Sequence, residues 1–170
     1  MNGFENVIRC LGKSHVDKEL IQALKQIKVD LDEDLKLPEG ENRAYVSKKS
    51  KGFSLVFTDE AYFKGLSPQK YRLGPLYLSC IFIYAEGENG FNQFVGDFYQ
   101  SISLRSSRDE ILNQLGDSDA KRTGPDGSRV LMDFWKTIAP FRVNIKCFKT
   151  KPGVKTATFE FPDVRIKGSP

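Results

Sequence analysis

Histidine is nearly missing from this chain, and its scarcity excludes one kind of active site. The 170 residues contain a single histidine, His15. A metal site built on paired imidazoles is therefore excluded. His15 also lies beside a predicted helix start, which favours a surface side chain over a catalytic base. No strand is followed by the glycine-rich pattern GxxxxGK[ST], so a phosphate-binding loop of that type is absent as well.

Cysteine is the second scarce residue. Cys10, Cys80 and Cys147 are far apart along the chain, so none of the CxxC spacings of a zinc site occurs. Cys80 and Cys147 fall within apolar, strand-like runs. Buried free thiols are therefore favoured over a disulfide or a reactive nucleophile.

Long apolar runs are missing too. No segment reaches the roughly 18 residues that a membrane-spanning helix needs, and the first residues lack the pattern of a signal peptide. We therefore expect a cytoplasmic protein without a membrane partner. The 26 basic and 22 acidic residues leave a net charge of only +4. Because the basic residues are spread along the chain, the composition disfavours a nucleic-acid partner.

The clearest local signal is a short helix over residues 107–115. Ser107 is a good N-cap residue, and Glu110 three positions later completes a capping box. Ile111 and Leu115 form an apolar face, and Gly116 is suited to end the helix. Earlier in the chain, apolar spacing predicts helices over residues 2–11 and 15–27, the second capped by Ser14.

Alternating and apolar runs predict strands in both halves of the chain. The expected strands are 44–47, 53–58, 76–85, 91–95, 130–135, 142–148 and 154–161, and the acidic segment 30–42 is expected to be a loop. The predicted class is therefore α+β, with short helices packed on antiparallel β-meanders. The order of elements in residues 1–96 resembles that in residues 97–170. Two tandem helix-plus-sheet units within one compact fold would give this order, and so would convergence.

A family resemblance rests on the segment from Phe94 to Phe161. Its motif is the capped helix from Ser107 to Gly116, ending in Leu-Gly, followed by Phe134-Trp135 and two further strands. This pattern resembles a bacterial immunity-protein family whose members look like the tandem helix-plus-sheet repeats of beta-lactamase-inhibitor protein. The resemblance implies a protein that inhibits a toxin by surface contact and has no chemistry or cofactor of its own.

The outward face of the second half is the predicted partner-binding surface. Tryptophan and arginine are common interface anchors. The apolar residues of 130–135 fit two opposite orientations of that strand, so Trp135 fits the core equally well. The predicted partner-binding residues are Asp133, Trp135, Arg142, Asn144, Lys146, Thr156, Thr158 and Glu160.

The sequence therefore favours a non-enzymatic immunity protein that occludes the active surface of a cognate antibacterial toxin or secreted effector. A nucleic-acid-binding module remains the alternative. It would use the lysine-rich turns at 48–51 and 146–155, although lysines that protect sheet edges explain the same clusters.

Overall fold

A seven-stranded antiparallel sheet forms the centre of the protein. The structure is a computed structural model and describes residues 3–125, 127, 129–138, 140–148 and 152–162. It confirms the α+β class. The helices described are α1 (Gly3–Arg9), α2 (Lys18–Gln26), α3 (Leu31–Asp34), α4 (Glu60–Phe63) and α5 (Arg108–Leu115). The strands are β1 (Arg43–Lys48), β2 (Phe53–Asp59), β3 (Leu76–Tyr84), β4 (Asp97–Tyr99), β5 (Ile102–Ser103), β6 (Ala120–Thr123), β7 (Val130–Ile138), β8 (Phe141–Cys147) and β9 (Val154–Glu160).

Strands from both halves of the chain share this sheet. Its order is β1-β2-β3-β9-β8-β7-β6, and β4 and β5 form a separate hairpin. The junction is the antiparallel pair β3–β9, in which Ile81 lies opposite Phe159. Buried residues of α1, α2 and α5 belong to the same hydrophobic cluster as these two side chains. The segments 1–96 and 97–170 therefore contribute to one sheet and one core.

The helix boundaries show how local capping works here. Ser107 accepts a hydrogen bond from the Glu110 N–H, and Glu110 accepts one from the Ser107 N–H, so the predicted capping box of α5 is confirmed. The predicted start of the second helix is wrong. Asp17 caps α2, whereas Ser14 forms a β-bridge with Tyr77. Competition from this strand contact explains why the cap lies three residues later.

The predicted strand at 91–95 is also wrong. Both neighbours of β3 in the sheet are occupied, by β2 and β9, so no place is left for a returning strand. Phe91 instead stacks on Tyr84 with ring centroids 4.1 Å apart. Phe94 packs edge-on against Phe4 on the helix-covered side. The two phenylalanines of this segment thus pack on different parts of the protein instead of forming a strand.

Several short elements have no counterpart in the predictions. The acidic segment predicted as a loop contains α3, whose N-cap is Asp30. The hairpin β4–β5 and the edge strand β6 also lie outside the predicted strands. Each has only two to four residues. Pairing and packing, more than local sequence preference, determine elements of this length.

The β4–β5 turn provides a stability test. Gln100 and Ser101 connect the two strands, and both have positive φ, 46° and 62°. Two-residue hairpin turns with this backbone favour Asn-Gly, because most L-residues are strained there. We expect Q100N/S101G to raise the free energy of unfolding by about 1 kcal/mol in urea denaturation. Q100A/S101A is the control and should give no gain. Equal stability of Q100N/S101G and wild type would contradict the expectation.

Candidate functional site

The face of the sheet opposite α1, α2 and α5 is the candidate site, and we call it the open face. Cα partners across the strands place its residues in three rows. The first row is Tyr45, Val56, Cys80, Glu160 and Arg142. The second is Ser47, Ser54, Phe82, Thr158, Asn144, Phe134 and Ala120. The third is Tyr84, Thr156, Lys146, Met132 and Arg122. Solvent reaches the centre of the face, since Phe82, Thr158 and Asn144 are all partly exposed.

Six of the predicted partner-binding residues lie together on the open face. Arg142, Asn144 and Lys146 alternate along β8 with buried core residues, and Thr156, Thr158 and Glu160 are their Cα partners on β9. Arg142 lies directly opposite Glu160, so opposite charges are neighbours at this point. The two central strands therefore present a continuous polar surface.

The predicted orientation is wrong for the other two residues, Asp133 and Trp135. Both point to the helix-covered face, with only 2% and 3% of their surface exposed. The Cα partner of Asp133 is Ile145, and that of Trp135 is Val143. The strand β7 is thus rotated relative to the prediction, and Met132 and Phe134 reach the open face instead.

Asp133 and Trp135 attach α5 to the sheet. The Asp133 carboxylate accepts two hydrogen bonds from the Arg108 guanidinium, at 2.8 and 2.9 Å, and one from the Ser118 hydroxyl at 2.7 Å. The indole N–H of Trp135 donates to the Gly116 carbonyl, which ends the helix. The hydrogen bond to Asp133 raises the pKa of Arg108 above its ordinary value. These contacts give both side chains a structural role.

Stacked aromatic side chains lie at two ends of the open face. At one end Phe91 lies over Tyr84, and Tyr84 stacks on Phe82 with ring centroids 6.1 Å apart. At the other end, Phe63 of α4 stacks on Tyr77 at 4.9 Å. Between the ends, Phe82 and Phe134 are partly exposed, and Tyr45 is 58% exposed. The face is therefore a polar surface that carries separate aromatic contacts.

A small pocket of about 110 Å³ opens on this face beside the first row. Cys80, Val56 and Phe82 line it, with Arg43 and Glu160 also contributing to its wall. A pocket of this size holds one side chain of a partner, which is the usual arrangement of an interface anchor.

The cysteines are the chemical groups most open to a reactivity test. Burial raises the pKa of the Cys10 thiol to about 11 and raises the pKa of Cys80 and Cys147 as well. For Cys10 this leaves about one thiolate per thousand molecules at about pH 8, and thiolate is the reactive form. We expect native protein to react with a disulfide reagent about a hundredfold more slowly than protein unfolded in urea. Peptide mapping would identify an exception, and rapid labelling of Cys80 in the pocket would contradict the expectation.

The lysine-rich turns are partly used for structure. Lys48 forms an ion pair with Asp34, and Lys51 donates a hydrogen bond to the Ile27 carbonyl at the end of α2. Lys155 pairs with Glu88. Lys149 and Lys151 of the second cluster lie outside the described residues. Three of these amines thus contact the protein itself.

A metal centre and a membrane-spanning helix are two further features to consider in the described part of the chain. Over residues 3–125, 127, 129–138, 140–148 and 152–162, no group of three or more His, Cys, Asp or Glu side chains is placed to hold a metal ion. His15 accepts a hydrogen bond from the Leu76 N–H at its Nδ1 atom, which fixes it against β3. Within the same described ranges, no helix is long and apolar enough to cross a membrane.

Sequence reasoning did not include Phe82, Met132 and Phe134 in the site. A signal for Phe82 existed, because residues 76–85 are apolar at both alternating positions. Such a run predicts side chains on both faces of the sheet. For Met132 and Phe134, the alternation of apolar residues fits either orientation of β7. The contact between Arg108 and Asp133 turns Asp133 towards the helices, and its two neighbours in the strand therefore point to the open face.

Comparison with known protein families, characterised protein sequences and solved structures finds no significant match to this chain. The open face is therefore the feature of the molecule that bears on its function.

Proposed function

We propose that this chain is a binding protein that captures a cognate antibacterial toxin or secreted effector in the cytoplasm and covers its active surface. The observation that carries the proposal is the open face itself. It combines partly exposed aromatic residues, Arg142 and a polar centre, a composition typical of protein interfaces. Immunity by occlusion needs no catalytic step and no cofactor, which agrees with a site built for contact.

The size of the face supports a protein partner. Seven strands spaced about 4.8 Å apart give a width of roughly 30 Å. That width matches a patch of about 800 Å² per partner, the usual size of a stable interface. The pocket beside Cys80 adds a place for one anchoring side chain.

The test combines protection with binding, using the product of a toxin gene adjacent to the protein's own gene. Cells that make this toxin should grow only when wild-type protein is present. F82A/F134A removes two aromatic contacts of the open face and should abolish protection, with the dissociation constant raised about a hundredfold or more in calorimetry.

The matched control is I21A/L31A, which truncates two partly buried side chains on the helices. It should protect like wild type. Circular dichroism verifies that each variant is folded. The proposal would be rejected if wild-type protein gave no protection, or if folded F82A/F134A protected as well as the control.

A further inference from the structure

Charge is unevenly distributed over the open face. On the described strands of this face, the basic side chains are Arg43, Arg122, Arg142 and Lys146, and the carboxylate is Glu160. The chain as a whole carries 26 basic and 22 acidic residues, a net charge of only +4, so these five side chains account for most of its excess positive charge. The open face is therefore the more positive side of a nearly balanced protein.

Four acidic residues on the helical side are engaged in structure. Asp34 pairs with Lys48. Asp17 caps α2, and Glu110 completes the cap of α5. Asp133 is buried against Arg108. These carboxylates hold local structure together, whereas the basic groups of the open face lie on a surface that solvent reaches.

The basic groups lie beside apolar contacts. Lys146 is the Cα partner of Met132, and the next pair of these strands on the same face is Asn144 with Phe134. Apolar neighbours exclude water when a partner docks, which strengthens the attraction between unlike charges. This arrangement favours a partner with carboxylates around an apolar centre.

We propose that the open face docks an acidic protein surface, whose carboxylates meet Arg142 and Lys146 while an apolar side chain contacts Phe134. The inference rests on the proposed function and specifies the partner's chemistry. It also narrows the class of toxin. A toxin that binds nucleic acid has a basic active surface. The basic side chains of the open face would repel such a surface and oppose its occlusion.

A single-stranded nucleic acid is also acidic, but the geometry favours protein. Base stacking needs free ring faces. Tyr84 stacks on both Phe82 and Phe91, so this ring is already engaged within the protein.

The experiment measures binding of the full chain to immobilised poly-L-glutamate, with single-stranded poly(dT) as the second probe. Wild-type protein should bind poly-L-glutamate, with affinity falling as salt is raised from about 50 to 200 mM. R142E/K146E should lose affinity by about tenfold or more. K18E/K25E is the matched control, because it makes the same change in net charge at two exposed positions of α2. It should stay within about threefold of wild type.

Two results of the binding experiment would overturn the inference. An equal loss in both charge-reversed variants would show a response to net charge alone. Tighter binding of poly(dT), lost in R142E/K146E, would make the face a nucleic-acid surface. The toxin assay keeps the two proposals separable. If R142E/K146E still protects cells while F82A/F134A does not, the proposed function stands and the acidic partner is wrong.

Discussion

Replacing Asp133 with alanine is expected to lower the free energy of unfolding by about 3–5 kcal/mol. The carboxylate is 2% exposed and accepts three hydrogen bonds, two from Arg108 and one from Ser118. Truncation leaves the guanidinium, itself only 32% exposed at the side chain, facing a space without its counter-charge. Urea denaturation followed by circular dichroism measures the loss.

Two controls separate the charge pair from its surroundings. S118A removes one neutral hydrogen bond from the same carboxylate and should cost about 1 kcal/mol. The double variant D133L/R108M replaces both charges with apolar groups and should recover most of the loss, since a buried ion pair adds little net stability over apolar packing. If D133A lowered the free energy of unfolding by less than S118A does, Asp133 would not be the residue that attaches α5 to the sheet.

Asp133 also shows why the site was only partly predictable from sequence. Between residues 130 and 135, apolar side chains occupy both sets of alternating positions, so periodicity cannot decide which set faces the core. The deciding contact comes from Arg108, 25 residues away. A charged residue in a strand is normally assigned to solvent, and only a partner from another element reverses that assignment. On β8 the apolar residues occupy one set of alternating positions, and this alternation gave the correct orientation of Arg142, Asn144 and Lys146.

The fold likewise has features that neighbouring residues determine and features that depend on distant parts of the chain. The capping box of α5 involves residues three positions apart, so the sequence carries the information locally. The place of residues 91–95 depends instead on the sheet, where β9 from the end of the chain occupies the position beside β3. Sequence patterns identified the long strands, but the order of strands is a property of the complete chain.

Replacing Asp59 with alanine is the second change with a large expected effect, about 3 kcal/mol. Asp59 is fully buried and caps α4. Its Oδ1 atom accepts hydrogen bonds from the Ala61 and Tyr62 N–H groups, and its Oδ2 atom accepts one from the Arg72 N–H at 2.7 Å. One carboxylate thus fixes both ends of the segment 60–72. Phe63 of this segment lies at one end of the open face, where it stacks on Tyr77.

Asp17 provides the matched control for Asp59. It caps α2 through two backbone N–H groups in the same way, but it lies near the surface. Water replaces a lost cap there, so D17A should cost only about 1 kcal/mol. D59N should fall between D59A and wild type, because the amide oxygen can still cap α4 while the amide nitrogen faces the Arg72 N–H. Hydrogen exchange should then show faster opening of residues 60–72 in both Asp59 variants. Equal costs for D59A and D17A would mean that burial of Asp59 contributes nothing beyond an ordinary helix cap.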